Sequence, residues 1–249
     1  MFVRISTSES KFVGTCTLVN YRNREFLLTA AHVYDERKLG QLFVFGVNGM
    51  VQIVGQVAES IAPSKDRNLD KLDFTCIILN NDTVLHLESS SFIVIEDCMA
   101  DDLCVTHKYA VAIGYPRSKH KKWTSVKHPL RIKSYRHISR IVTKEHIFKN
   151  AGFSSETHYF LQFDELHSRN KIGCRINSLS PVGLSGGGFF VMTSPIEVKE
   201  ECFVGRCSFK LAGILIEQFK EDSVLISTRI STICEGMDAQ LEHISQNSA

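Results

Sequence analysis

A long series of short apolar or alternating runs, separated by turn signals, is the feature that most constrains the fold of this chain. Such runs are typical of β-strands, because successive side chains point to opposite faces of a sheet. Asn48-Gly49 lies between two of them and predicts a two-residue hairpin loop, since both residues tolerate a positive φ. The sequence therefore predicts an all-β protein built from barrels or a sandwich. The predicted strands cover residues 12–19, 25–30, 42–47, 50–57, 74–79, 91–96, 109–114, 130–135, 137–142, 158–163, 187–192, 210–217 and 224–228.

Helical periodicity is nearly absent until the end of the chain. There, Ile230, Ile233, Met237, Leu241 and Ile244 recur at spacings of three and four residues. This spacing places all five side chains on one face of a helix. We expect this amphipathic helix to pack on the surface of the β structure.

Composition and charge narrow the class of protein. The chain has 249 residues, of which 43% are hydrophobic, enough for one or two substantial cores. The formal net charge of +2 gives no general bias toward nucleic acid or membranes. No apolar run is long enough to span a bilayer, and the first residues, MFVRISTSESK, lack the apolar stretch of a secretory signal. We expect a soluble cytoplasmic protein, or one whose secretory leader is absent from this sequence.

The cysteines support the same location. Their even number would permit a disulfide framework, but a chain of this length does not need one, and they occur singly inside apolar runs. We therefore expect reduced thiols that pack as small hydrophobic side chains. No CxxC pair occurs, so we expect neither a zinc site nor another metal. The eight are Cys16, Cys76, Cys98, Cys104, Cys174, Cys202, Cys207 and Cys234.

Residues 117–149 form a basic segment, in which Glu145 alone opposes many lysines and arginines. One interpretation is a docking surface for an acidic partner or nucleic acid. The other is a set of solvated loops with an exposed strand face, and this second interpretation is favoured because charge runs have low specificity.

Three segments carry the residues of a nucleophilic site, in the order histidine, aspartate, serine. FLLTAAHVYD contains His32, Asp73 opens the apolar run DFTCIIL, and PVGLSGGGFFV contains Ser185. A serine hydroxyl is a weak nucleophile unless a base takes its proton, and the base needs a third group to orient it. Glycines next to the serine allow backbone N–H groups to turn into the site. Asp70 competes for the role of the acid, but Asp73 directly precedes the apolar run.

These segments resemble the chymotrypsin/trypsin family of serine proteases, and the resemblance extends over most of the chain. TAAH at 29–32, DFTCIIL at 73–79 and GLSGG at 183–187 match its histidine, aspartate and serine motifs. Weaker similarities follow in the family's order: AIGYP at 112–116, LAGIL at 211–215 and STRIS at 227–231.

The resemblance implies two six-stranded antiparallel β-barrels and a C-terminal helix. Residues 1–100 would form the barrel with the histidine and aspartate, and residues 101–249 the barrel with the serine, plus the helix. Ser185 would be the nucleophile, His32 the general base and acid, and Asp73 the orienting carboxylate. The N–H groups of Gly183 and Ser185 would form the oxyanion hole.

Departures from the family pattern modify these expectations. Val33 and Pro181 replace cysteines that form disulfides in secreted members, which agrees with a cytoplasmic location. Leu184 replaces the aspartate that pairs with a newly cut N-terminus in zymogens, so we expect no activation by propeptide cleavage. Gly188 replaces a common proline.

Specificity is predicted by position alone. Leu179, six residues before the serine, would form an apolar floor of the pocket for the side chain preceding the cut, which disfavours cleavage after Lys or Arg. Ile216, Glu217 and Gln218 would line the substrate channel.

The functional prediction is a regulated serine endopeptidase with a specific protein or peptide substrate and an activating protein partner. We expect no cofactor, nucleic acid or membrane. A bacterial stress or phage-defence system, hence antiviral defence, is one setting for such an enzyme. An α/β-hydrolase is disfavoured, because His243 is the only histidine after Ser185 and GGFFVMTS resembles a strand. A catalytically silent binding or sensing module remains the alternative.

Overall fold

The computed structural model describes residues 1–5, 10–62, 64, 66–87, 92–95, 108–119, 134–164, 168–169, 175–176, 179–193, 197–199, 202–204 and 208–247. Within these ranges the chain consists mainly of β-strands, as the alternating sequence pattern predicts. The first-half strands are β1 (Phe2–Arg4), β2 (Ser10–Phe12), β3 (Thr17–Tyr21), β4 (Arg24–Ala30), β5 (Gln41–Gly46), β6 (Gly49–Gln52), β7 (Gly55–Glu59), β8 (Phe74–Leu79) and β9 (Ile93–Ile95).

The described part of the first half forms two sheets rather than the predicted closed barrel. One sheet has the order β2-β1-β5-β6 and the other the order β7-β8-β4-β3-β9. The predicted strand 50–57 is divided between them, because the chain bends at Ile53 and Val54 and passes from β5 to β8 as its pairing partner. Gly55 allows this bend, since a Cβ there would collide with the backbone oxygen of Ile78. The two sheets enclose a common core that includes Val3 and Leu27.

The second half contains the closed barrel that the resemblance implies. Its order is β10-β11-β12-β19-β18-β15, and its pairs are antiparallel. Leu161 and Phe189 are fully buried in its interior. The barrel strands are β10 (Tyr109–Gly114), β11 (Tyr135–Val142), β12 (His158–Gln162), β15 (Gly188–Met192), β18 (Phe209–Phe219) and β19 (Val224–Arg229); two small hairpins pair β13 (Ser168–Arg169) with β14 (Arg175–Ile176) and β16 (Glu197–Lys199) with β17 (Cys202–Val204).

The predicted C-terminal helix is confirmed as α4 (Ile230–Asn247), which continues directly from β19. Ile230, Ile233 and Met237 of the predicted stripe are buried. Three shorter helices in the described part of the chain were not predicted, because a segment of one or two turns shows little periodicity. They are α1 (Ala31–Tyr34), α2 (Asn81–His86) and α3 (Glu145–Ala151).

The predicted hairpin is present, but its loop is displaced by one residue. Residues 47 and 48 form the turn and Gly49 opens β6, with a φ of 128°. Gly49 therefore has the positive φ that the hairpin prediction required, whereas Asn48 does not. The predicted strand 91–96 is observed as the shorter β9, and most of the predicted strand 130–135 lies outside the described residues.

Other predictions can be followed only in part. Cys16, Cys76 and Cys234 form no disulfide within the described residues, and Cys76 is fully buried. The remaining cysteines have no described side chain, and the centre of the basic segment, residues 120–133, also lies outside the described residues. A search of the described helices finds none whose length and hydrophobicity would let it cross a bilayer.

Candidate active site

His32 lies where β4 passes into α1, beside the start of β8. Ala30 and Ala31 are fully buried before it, so the backbone can approach the neighbouring strand closely. The Ala31 N–H donates to the backbone oxygen of Asp73 at 2.9 Å, and the His32 N–H donates to Asp73 Oδ1 at 2.9 Å. These two bonds fix the histidine backbone against the aspartate.

The imidazole of His32 uses the other oxygen of the same carboxylate. Nδ1 of His32 lies 2.6 Å from Oδ2 of Asp73. Because an ionised carboxylate only accepts hydrogen bonds, Nδ1 carries the proton in the neutral ring and Nε2 has a free lone pair. His32 is therefore oriented as a base. Asp70 has no such contact, since its carboxylate is buried against Ser60 and Arg67.

Charges around His32 raise its pKa. Partial burial by itself lowers the pKa of this imidazole, but the hydrogen bond and the charge of Asp73 outweigh that cost. Glu217 and Asp35 add further negative charge. The protonated ring is thus stabilised, as a general base that becomes an imidazolium requires.

Asp73 has an unusual backbone conformation, with a φ of 41°. Residues other than glycine seldom adopt this left-handed region, and they do so when the surrounding structure enforces it. Ser60 supplies part of that enforcement, because its hydroxyl lies 2.9 Å from the Phe74 N–H and 2.7 Å from Asp70 Oδ2. Arg67 then donates to Asp70 Oδ2 at 2.7 Å. We call residues 70–74 the Asp73 loop.

Ser185 lies in a glycine-rich loop, residues 181–187, which we call the Ser185 loop. Gly183 and Gly186 have φ values of 96° and 86°. The first half of the chain contacts this loop: the Thr15 N–H donates to the Ser185 backbone oxygen at 2.8 Å, and the Thr15 hydroxyl donates to that of Gly183 at 2.7 Å. The Thr17 hydroxyl donates to Gly186 O at 3.1 Å.

Three backbone N–H groups of the Ser185 loop have no acceptor in the described structure, and one of them belongs to the exposed residue Val182. The other two flank Leu184. Within the described residues, neither the Gly183 N–H nor the Ser185 N–H has a protein acceptor, whereas the N–H groups of Leu184, Gly186 and Gly187 all donate to backbone oxygens. Unpaired N–H groups in a folded loop are uncommon and need a partner, either solvent or a ligand. They can supply hydrogen bonds to a developing oxyanion.

The hydroxyl of Ser185 donates to the backbone oxygen of Ile216 at 3.0 Å. Across the described part of the chain, no hydrogen bond joins this hydroxyl to the His32 imidazole. Both side chains nevertheless line the same cleft. A ligand-free site often has long or absent hydrogen bonds that form only with substrate.

The cleft has a volume of about 610 Å³ and contains most of the predicted site residues. Leu179 is half-buried and is not among the described residues that line the cleft. Sequence reasoning also missed several lining residues, because nothing in their local pattern marks them. The predicted residues that line the cleft are His32, Asp73, Gly183, Ser185, Ile216, Glu217 and Gln218, and the missed ones include Arg67, Lys71, Phe153, Pro181, Val182 and Lys220.

Glu217 adds a charge that faces the catalytic candidates. Desolvation in the cleft raises the pKa of this carboxyl, and the negative charge of Asp73 raises it further, while Lys71 and His32 oppose the shift. Lys71 itself lies over the Phe153 ring, with Nζ 4.6 Å from the ring centre. The cleft therefore contains both signs of charge beside an aromatic wall.

Comparisons with known proteins give structural similarity only. No protein family model and no curated protein sequence matches the chain. A Glu endopeptidase structure has 10% identity and a TM-score of 0.48, covering 96% of this chain and 94% of that chain. The thermostable serine protease AL20 from an extremophilic microorganism has 12% identity and a TM-score of 0.48, with 92% and 88% covered. A serine endoprotease from Yersinia pestis has 15% identity and a TM-score of 0.48, with 96% and 60% covered.

Proposed function

We propose that this protein is a serine endopeptidase that cleaves a specific protein or peptide through an acyl-enzyme on Ser185. The observation that carries the proposal is the pair of hydrogen bonds that the Asp73 carboxylate accepts from the backbone and ring of His32, at 2.9 Å and 2.6 Å, in the cleft that also contains Ser185. This arrangement leaves His32 Nε2 as the free base in the cleft.

In the proposed reaction, the Ser185 hydroxyl leaves Ile216 and turns toward His32. Nε2 of His32 takes the hydroxyl proton as Oγ bonds to the substrate carbonyl carbon. The carbonyl electrons move to oxygen, and the N–H groups of Gly183 and Ser185 stabilise that oxyanion. The tetrahedral intermediate collapses, the C–N bond breaks, and His32 donates its proton to the leaving amine. Water then attacks the acyl-enzyme carbonyl while His32 takes its proton. The bond to Ser185 Oγ breaks, His32 returns the proton to Oγ, and the carboxylic acid product leaves.

A fluorophosphonate probe tests this chemistry without knowledge of the substrate, because it reacts with an activated serine. We expect covalent labelling of the folded protein at Ser185, and none in Ser185→Ala. Ser245→Ala, which removes an exposed hydroxyl of α4 that donates to Leu241 O, is the matched control and should label normally. Equal labelling of Ser185→Ala and the unaltered chain would refute the assignment.

A catalytically silent binding or sensing module is the second candidate. The observation that favours it is the hydrogen bond from the Ser185 hydroxyl to Ile216 O, which directs the hydroxyl toward the backbone. Such a module would leave Ser185 unlabelled in the folded protein, with or without candidate partners. The probe therefore separates the two functions in one measurement.

The substrate, an activating partner and the cytoplasmic setting belong to the same proposal. Narrow specificity is expected of a protease that shares a compartment with its host's proteins. We expect new protein N-termini to appear in cells that contain the intact chain and to be absent with Ser185→Ala. The residue before each new N-terminus tests the predicted preference against Lys and Arg.

A further inference from the structure

Two buried side chains of the second-half barrel form hydrogen bonds with the backbone of the Asp73 loop. His158 on β12 and Thr228 on β19 are directly paired across antiparallel strands, so they face the same side of the sheet. His158 is 1% exposed and Thr228 is fully buried. Their ring nitrogen and hydroxyl bond to consecutive backbone oxygens of the loop, those of Lys71 and Leu72, at 2.8 Å and 2.5 Å.

With these two bonds, four consecutive backbone oxygens of the loop accept hydrogen bonds. The oxygens of Asp73 and Phe74 accept from the N–H groups of Ala31 and Ser60, both in the first half of the chain. The oxygens of Lys71 and Leu72 instead receive their side-chain donors from the second half. The strained residue Asp73 thus directly follows the two residues held by the second-half barrel.

His158 is suited to donate in its neutral form. Burial lowers the pKa of this imidazole, and the nearby cations Lys71 and Arg229 lower it further, although its hydrogen bonds to backbone oxygens oppose the shift. Nδ1 lies 2.8 Å from the Thr157 hydroxyl, which can donate to it. Nδ1 also lies 3.3 Å from Ser154 O, a longer contact than the 2.8 Å from Nε2 to Lys71 O, so the neutral ring carries its single proton on Nε2 and donates it to Lys71 O. The Phe153 ring packs edge-on against His158, with 4.7 Å between ring centres.

We propose that His158 and Thr228 are positioning residues, through which the second-half barrel sets the alignment of Asp73 toward His32. This inference rests on the proposed function for its catalytic consequence. The carboxylate receives its orientation from the loop backbone, and neither side chain touches the reacting atoms. Docking of the second-half barrel, which contains the serine, would thereby complete the histidine–aspartate pair of the first half.

The test removes the donors and retains their shape. Thr228→Val is nearly isosteric but has no hydroxyl, and His158→Leu removes the ring donor. His158→Gln restores an N–H group at the position of Nε2. In each variant the pKa of His32 is followed by NMR of histidine labelled at Cε1, and the fluorophosphonate labelling rate is measured from acid to neutral pH.

We expect the pKa of His32 to fall toward its ordinary value in Thr228→Val and His158→Leu, because Asp73 no longer stays aligned. Asp35 and Glu217, the other charges facing His32, remain in place. Displacement of a catalytic group by about 1 Å lowers rates about 10²-fold, which sets the scale expected when Thr228→Val and His158→Leu are combined in one variant. His158→Gln should recover most of both values.

Ser227→Ala is the matched control, because its buried hydroxyl on the same strand has no hydrogen-bond partner among the described residues. It should change neither the His32 pKa nor the labelling rate. An unchanged His32 pKa in folded Thr228→Val would overturn the proposal; if His158→Leu does not fold, Thr228→Val and His158→Gln decide. Absence of labelling in the unaltered chain would refute the protease function, while the NMR titration would still test the alignment.

Discussion

In the Asp73 loop, four consecutive backbone oxygens accept hydrogen bonds, from Lys71 to Phe74. In the Ser185 loop, by contrast, the backbone N–H groups of Gly183 and Ser185 have no acceptor in the described structure. The Asp73 loop accepts hydrogen bonds from donors in both halves of the chain, and it contains an aspartate with a strained backbone. The Ser185 loop is anchored through its oxygens by Thr15 and Thr17, while these two donors stay free.

The difference between the loops fits the two chemical tasks that the proposed function would give them. A carboxylate that orients an imidazole must not move, and four of the five backbone oxygens of its loop accept hydrogen bonds. A loop that stabilises an oxyanion must keep donors for a ligand, so it can be anchored only through its acceptors. The Asp73 loop would hold its carboxylate rigidly, and the Ser185 loop would keep hydrogen-bond donors for a ligand. These two properties complement each other in one site.

The largest expected effect comes from changing the carboxylate itself. Asn tolerates the left-handed backbone of position 73, so Asp73→Asn should fold. Its amide can donate to Nδ1 of His32 and favour the wrong tautomer, so we expect fluorophosphonate labelling to fall about 10⁴-fold. Asp82→Asn, on α2, is the control. Labelling of Asp73→Asn at the normal rate would mean that this loop has no catalytic task.

A methyl group at Gly183 tests the free donors of the other loop. The Cβ of Gly183→Ala would lie 2.8 Å from the backbone nitrogen of Arg117 and 2.8 Å from Cε1 of the Phe12 ring. The backbone there has a φ of 96°. We expect the loop to shift and labelling to fall about 10²–10³-fold, the typical loss for one oxyanion donor. Gly49→Ala is matched to it, because Gly49 also has a positive φ, of 128°, but its Cβ would meet no atom within 4 Å. Equal losses in both variants would contradict a role specific to the site.

Removing a support of the Asp73 loop should affect stability more than chemistry. Ser60→Ala deprives the Phe74 N–H and the Asp70 carboxylate of a buried partner. We expect a loss of about 1–3 kcal/mol in the free energy of unfolding, measured with urea. Ser227→Ala, whose hydroxyl has no partner in the described structure, should be nearly neutral by the same measurement. A neutral Ser60→Ala would show that the loop does not depend on this hydroxyl.

The smallest expected effect is a displacement of the pH profile. His32 must be neutral to accept a proton, and its pKa is raised by Asp73 with help from Glu217. Labelling should therefore decline as the pH falls through that raised pKa. Glu217→Gln removes one negative charge, so the pKa should drop and labelling should persist to lower pH. Glu221→Gln serves as the control, and a shift to higher pH in Glu217→Gln would contradict the electrostatics described here.

Much of this arrangement could be predicted from the sequence, because its parts have local signatures. The alternating runs indicated strands, and the spacing of Ile230, Ile233 and Met237 indicated the terminal helix. The motifs around His32 and Asp73 placed both residues at strand ends, and the structure joins them by two hydrogen bonds. Their catalytic roles, and that of Ser185, remain predictions.

Other features could not be predicted, because they depend on contacts between distant parts of the chain. Nothing in the local pattern marks His158, at the start of β12, or Thr228, between Ser227 and Arg229 in β19. Their contacts in the Asp73 loop lie 87 and 156 residues away. The bend that divides the predicted strand 50–57 depends on the position of Ile78, which no local pattern around Gly55 reveals. The short helices gave too few turns to establish a period.

The terminal helix follows the second-half barrel in sequence but packs on the first-half sheet. One apolar cluster combines Phe26 and Phe74 with Ile214, Ile233 and Met237. A Cβ on Gly236 would approach the Phe74 ring to 2.9 Å, so helix and sheet are in close contact. If the chain were severed between its halves, each fragment would carry an open hydrophobic surface that only the other fragment fits. The two fragments would therefore be purified together as one reassembled complex. During synthesis, the apolar surface of the first-half sheet would stay partly exposed until α4 has been made.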